Sequence, residues 1–305
     1  MKKSLNLLGL AAFAGVLTGL VSLGCAPAST PAPAPTKPSE TPAAETAKPA
    51  GNEGVDADRP QPGRMVQADA KLATLRAKFV YDGKAPAPKK IDSSKDPFCA
   101  PIEINTDAML VSQDGGLRNL VLMFDAKRSK AKVPTEFAKA PEAVVTLDNK
   151  NCMFEPHIVF ARVGQTIEVL NSDQTGHNAN FGFFNNPAVN FLIPIGGKKD
   201  IKLVAEEATL MPVECNIHPW MKGYVIVQEH PYVGITDEEG NLEIANLPVG
   251  EVTFLVRHEN AAGSIDEGTV AGKKQKWSRG RMEIELKPGV NDLGTITLAA
   301  DKFKD

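Results

Sequence analysis

The chain has 305 residues and a formal net charge of −3, with 23% charged and 42% hydrophobic residues. A balance this even offers no basic face or stripe, so a nucleic-acid-binding surface is not expected. The hydrophobic fraction suffices for a core, and at roughly 100–200 residues per domain the chain beyond any leader has room for one large or two small domains.

In chain order, Lys2 and Lys3 form a basic start, and an uncharged apolar run follows from Leu5 to Leu23. No stop-transfer pattern follows, so residues 1–24 read as a secretory signal peptide. Leu23-Gly24-Cys25 resembles the lipobox of bacterial lipoproteins. That resemblance implies a lipidated Cys25 at the start of the mature chain, a membrane anchor, and a place in the periplasm or at the cell surface. The other reading is an ordinary secreted protein with a stray thiol. Residues 25–65 are rich in Pro, Ala and Thr with almost no large apolar side chains. Such a segment cannot bury enough surface to offset its conformational entropy and serves as a semi-stiff spacer.

From Leu72 onward, short apolar or alternating runs are punctuated by turn signals, as in Leu75 to Tyr81 followed by Asp82-Gly83, and Leu117 to Phe124 after Asp114-Gly115-Gly116. Long helix-period segments are scarce past the leader, and a candidate such as Thr135 to Ala143 is interrupted by Pro141. The fold is therefore expected to be all-β, in sandwiches or barrels. Ile158 to Asn171 reads as two strands joined at Gly164, the second with Ile167, Val169 and Asn171 on one face. A polar turn, Ser172 to Gly176, then delivers His177.

Two of the four cysteines, Cys99 and Cys152, have no other chemistry suggested for them. In an oxidising compartment they are expected to form a disulfide, against the alternative of two buried thiols. Cys215 has a different context. In Cys215-Asn216-Ile217-His218-Pro219-Trp220-Met221 a thiol, an imidazole and a thioether fall within seven residues, and His177 adds a second imidazole. Soft sulfur ligands suit Cu(I) while imidazoles also hold Cu(II), so the set can serve both oxidation states. Neighbours three apart in a strand would lie about 10 Å from each other, so a tight loop is required, and Pro219 stiffens it. Each residue alone would more often be a core or surface side chain; together they point to a metal site.

The stretch Cys215 to Gly223, with Cys, two residues, His, Pro, an aromatic, Met, a basic residue and Gly, resembles the ligand loop of the amicyanin-type cupredoxins. Glu155-Pro156, Val163-Gly164, Thr166, Asn171 and His177-Asn178 fall in the order that family shows upstream. The resemblance implies a Greek-key β-sandwich holding one type 1 copper ion, with His177, Cys215 and His218 as strong ligands and Met221 as the weak axial one. It further implies that Asn178 supports the loop, with Asn216 standing where Ser or Thr is frequent, and that the His218 edge reaches the surface and conducts the electron. His157, His230 and His258 read as structural, and Glu206-Glu207 as a solvated turn.

After His230-Pro231 the chain changes character. Thr236-Asp237-Glu238-Glu239-Gly240, an alternating strand, Leu247-Pro248-Val249-Gly250 and a further strand resemble the carboxypeptidase regulatory-like β-sandwich, without a peptidase site. The expected organisation is thus a copper domain with an N-terminal extension over 66–230 and a smaller β-sandwich over 231–301. The expected function is electron transfer without bond chemistry, between partners such as a cytochrome or a periplasmic dehydrogenase. The alternative is a non-redox surface lipoprotein in which copper is structural or sequestered and the sandwich binds an envelope component. Copper oxidases and nitrite reductases need further His-rich sites, and five histidines are few for that.

Overall fold

The computed structural model describes residues 72–304. The signal peptide, Cys25 and the whole 25–65 spacer lie outside the described residues.

The fold is all-β, as the turn-punctuated alternation implied. Strands β1 (Leu72–Asp82), β2 (Val121–Phe124), β3 (Val145–Lys150), β4 (Met153–Glu155), β5 (Ile158–Arg162) and β6 (Thr166–Asn171) come first. They are followed by β7 (His177–Phe181), β8 (Val189–Ile193), β9 (Lys198–Lys202), β10 (Met211–Glu214), β11 (Lys222–Gln228) and β12 (Val233–Ile235). The last are β13 (Asn241–Pro248), β14 (Gly250–Arg257), β15 (Glu267–Val270), β16 (Lys273–Lys276), β17 (Arg281–Leu286) and β18 (Gly289–Ala299).

These strands make four sheets that pair into two sandwiches. In the first sandwich, sheet β5-β11-β10-β7-β8 faces sheet β4-β3-β6-β9. Leu147, Ile167, Val169 and Ile201 from one sheet share a core with Val159, Phe181, Val213 and Val225 from the other. The alternation expected of β6 is observed, with Ile167, Val169 and Asn171 turned inward. In the second sandwich, sheet β13-β1-β18-β15-β16 faces sheet β12-β2-β14-β17. Phe79, Phe124, Phe254 and Ile296 lie in its core. A smaller cluster, including Val121 and Met123 of β2 with Ile158 and Ile226, packs the two sandwiches together. These two strand sets explain why β2 is buried on both faces.

Strand pairing cuts across the expected boundary near residue 230. β1 pairs antiparallel with β13 and parallel with β18, and β2 pairs with β12 and β14. The N-terminal strands therefore complete the C-terminal sandwich, and the first sandwich, β3 to β11, is inserted between them. Alternation along β1 reports that Leu75, Ala77 and Phe79 face a core; it carries no information about which sheet supplies the neighbours. Close approach makes the pairing exacting. Phe79 donates its N–H to Gly240 O at 2.7 Å. A Cβ on Gly240, whose φ is +82°, would meet Phe79 O at 2.3 Å.

One other expectation changes. Glu207 is not a solvated turn residue but is only 1% exposed. Its carboxylate accepts from the Asn185 and Asn186 backbone N–H groups at 2.9 and 3.0 Å and from Asn186 Nδ2 at 2.9 Å, which meets the cost of burying a charge. Near the C-terminus β16 hairpins onto β15, and Trp277 packs over Gly268.

Candidate metal centre

Each candidate ligand is placed by a strand end. β6 leads through the turn at residues 172–176 to His177, the first residue of β7. β10 ends at Glu214, immediately before Cys215, and β11 begins at Lys222, immediately after Met221. Pairing of β10 with β11 forces the seven residues between them into a closed loop. Cys215 N–H donates to Met221 O at 3.1 Å, and Met221 N–H to His218 O at 2.9 Å. The loop thus has the tight form the spacing required.

His177, Cys215 and His218 are buried and converge, with one potential donor atom from each within 4.8 Å of the others. His177 Nδ1 and His218 Nδ1 are 2.9 Å apart, and Cys215 Sγ is 3.8 Å from His218 Nδ1. Met221 is fully buried in the same core cluster as Cys215. Asn178 supports the loop: its Oδ1 accepts from Asn216 N–H at 2.6 Å and from Ile217 N–H at 3.3 Å, and lies 3.5 Å from Cys215 Sγ. Asn216 takes part as well, its Oδ1 accepting from Asn178 Nδ2 at 2.8 Å.

The opposite nitrogen of each imidazole is held by a carboxylate, and neither carboxylate stood out in the sequence. His177 Nε2 is 2.9 Å from Asp173 Oδ2, and His218 Nε2 is 3.0 Å from Asp96 Oδ2. Asp173 also accepts the Asn151 and Cys152 backbone N–H groups, both at 2.8 Å. Burial disfavours the Asp96 anion, but hydrogen bonds from Cys99 N–H, His218, Thr175 and Phe98 N–H outweigh it and hold the carboxyl well below its usual range. Burial, and then the neighbouring His218, push the His177 imidazole below its ordinary value despite Asp173. A carboxylate oxygen accepts, so each Nε2 donates, and in the neutral imidazole the lone pair is then on the Nδ1 that faces the common point.

This arrangement fits a metal ion. With bonds of about 2.0–2.1 Å to imidazole nitrogen and about 2.3 Å to thiolate sulfur, separations of 2.9 Å and 3.8 Å correspond to bond angles of roughly 90° and 120°. A second grouping, Asp96, Cys99 and His218, does not fit, because Cys99 is bonded to Cys152, with Cα atoms 5.9 Å apart, and has no thiolate to offer. Asp173 could have been noticed as the carboxylate four residues before His177. Asp96 carries no such signal, since 122 residues separate it from His218.

The His218 edge is not at the surface. His218 is 2% exposed, covered by the segment that carries Asp96 and Cys99, and the expected route through a bare imidazole edge is not what the fold presents.

Comparison with known proteins bears on the fold at most. No family model matches the chain, and no curated protein does. Among solved structures, a copper-containing nitrite reductase from Thermus scotoductus is 24% identical over 34% of this chain, with a TM-score of 0.26. The chain spans 26% of that protein's length. A purple cupredoxin from Nitrosopumilus maritimus is 23% identical over 28% of this chain and 98% of its own, with a TM-score of 0.24. A reduced amicyanin variant is 25% identical over 32% of this chain and 98% of its own, with a TM-score of 0.26. At such scores the likenesses carry no weight beyond what the donor geometry supplies.

Proposed function

We propose that this chain is an exported copper protein that carries single electrons between redox partner proteins, such as a cytochrome and a periplasmic dehydrogenase. His177, Cys215 and His218 would hold the ion, with Met221 as a further, weaker ligand. The observation that carries this reading is the convergence of two imidazole Nδ1 atoms and a buried thiol on one point, with both Nε2 atoms occupied by carboxylates. Bound there, copper supplies a one-electron couple. The chain contributes a soft sulfur, two imidazole nitrogens whose outer nitrogens are held by carboxylates, and a strand-anchored frame. Lipid attachment at Cys25 would hold the protein at a membrane, with residues 25–65 as the spacer.

A second reading, copper held structurally or in store within a non-redox envelope protein, draws on one observation, the near-complete burial of His218. Titration of the purified protein with Cu(II) separates these readings from a metal-free role. Intense thiolate-to-copper absorption that disappears in Cys215→Ser is expected, and colourless protein would end both copper readings. Reversible voltammetry together with reduction by a cytochrome then favours the carrier over the store.

A further inference from the structure

We infer that Asp96, borne on a disulfide-anchored cap, is the residue that positions His218 for the metal and seals its outer edge from water. The inference rests on the copper reading for its consequence, though not for its geometry.

The cap is a loop closed at its own neck. Ile91 N–H donates to Ile104 O at 2.9 Å, Thr106 N–H to Lys89 O at 2.9 Å, and Lys89 N–H to Thr106 Oγ1 at 3.1 Å. Within it Cys99, Ile104, Phe98 and Ile91 form a small core with Cys152 and Trp220 of the inserted sandwich. The Cys99–Cys152 bond ties this core to the turn after β3. Trp220, two residues beyond His218, donates its Nε1–H to Cys152 O at 3.1 Å and packs against both the cap core and the metal-side core. The cap is thus fastened on either side of the histidine it covers.

Asp96 occupies the point of contact. Its Oδ1 accepts Phe98 N–H at 2.8 Å and Cys99 N–H at 3.0 Å, which orients the carboxylate from within the cap. Its Oδ2 takes Thr175 Oγ1–H at 2.8 Å, from the turn that delivers His177, and His218 Nε2–H at 3.0 Å. One carboxylate therefore joins the cap, the approach to the first imidazole, and the second imidazole itself. Asp173 plays the matching part for His177 from inside the metal sandwich. Asp96 differs in arriving from a segment that lies in the chain between β1 and β2, two strands of the other sandwich, so the shape of the centre depends on chain far from its ligands. Carboxylates on the outer nitrogen fix the tautomer and ring orientation of metal-binding histidines and raise their basicity.

The test begins with the metal-free protein. Nitrogen-15 NMR of its histidines is expected to show His218 as the Nε2–H tautomer with a slowly exchanging proton. A His218 protonated at Nδ1, or an Nε2 proton in free exchange with water, overturns the inference without reference to copper or to any variant. In Asp96→Asn and Asp96→Ala that protection is expected to be lost, and copper affinity to fall roughly 10–100-fold. Release of copper to a chelator is expected to quicken in these variants and in Cys99→Ser/Cys152→Ser. Affinity and release unchanged within twofold, with the tautomer also unchanged, would reduce Asp96 to a bystander. If the wild type binds no copper at all, the copper reading fails while the tautomer measurement still decides the role of Asp96.

Discussion

His177 and His218 face each other through their Nδ1 atoms at 2.9 Å, each with its Nε2 already given to a carboxylate. Without a cation between them, two lone pairs and a thiol are crowded into a buried space, where unpaired polar groups are costly. Copper binding should therefore stabilise the fold as well as fill the site. At free metal about 100 times Kd, linkage amounts to about 2.7 kcal/mol. Thermal melts with and without copper are expected to show this rise in the wild type and not in His177→Ala; equal shifts in both would place the binding elsewhere.

The Cys99–Cys152 bond closes a separation of 53 residues. Constraint of the unfolded chain by a loop of that length is worth about 4 kcal/mol in the chain-entropy description, and 2–4 kcal/mol is typical of measured bridges. Urea unfolding of Cys99→Ser/Cys152→Ser is expected to show a loss in that range. A loss well under 1 kcal/mol would mean that the cap contributes little cooperativity to the described fold.

His157 lies between Glu259, which hydrogen-bonds its Nε2, and Asp107, whose Oδ2 is 3.0 Å from Nδ1 as a charge contact. It thereby links the cap side, the metal sandwich and the C-terminal sandwich, with the Tyr224 ring packed against it. Burial opposes its charge, but the two carboxylates prevail and push its pKa up to about 9. Because the folded value exceeds the unfolded one, the stabilisation is fully present below pH about 6.5 and is lost as pH rises through about 9. The shift corresponds to about 3 kcal/mol at most. Denaturation at pH 6, 8 and 10 should reveal this decline in the wild type, and His157→Gln should flatten it. A wild-type stability that is level from pH 6 to 10 contradicts the clip.

Because β1 lies between β13 and β18, the C-terminal sandwich lacks a central strand without the N-terminal segment. A fragment of residues 231–305 is expected to be unfolded by circular dichroism. Gly240→Ala is expected to cost more than about 2 kcal/mol in the whole chain, since it combines a positive φ with a backbone clash against β1. A cooperatively folded fragment would restore the boundary near residue 230.

Much of the local structure could be read directly. The inward row of Ile167, Val169 and Asn171, the closed loop from Cys215 to Met221, and the turn before His177 all depend on residues within a few positions of one another. The burial of Glu207 and the pairing of β1 could not, because an isolated carboxylate or an alternating strand looks the same whichever distant segment it meets.

The sequence by itself determined the all-β character and the chemistry on offer: a thiol, two imidazoles and a thioether at spacings that a strand–loop–strand unit can converge. Tertiary structure alone decided how those donors are held. It brought Asp96 across 122 residues to His218, covered the histidine with a disulfide-tied cap, and wove the N-terminal strands into the C-terminal sandwich. The physical reason is one of range. Period-2 alternation and turn chemistry are set by neighbouring residues, whereas the partner of a buried carboxylate or a sheet edge is chosen by whichever distant surface desolvates and satisfies it best.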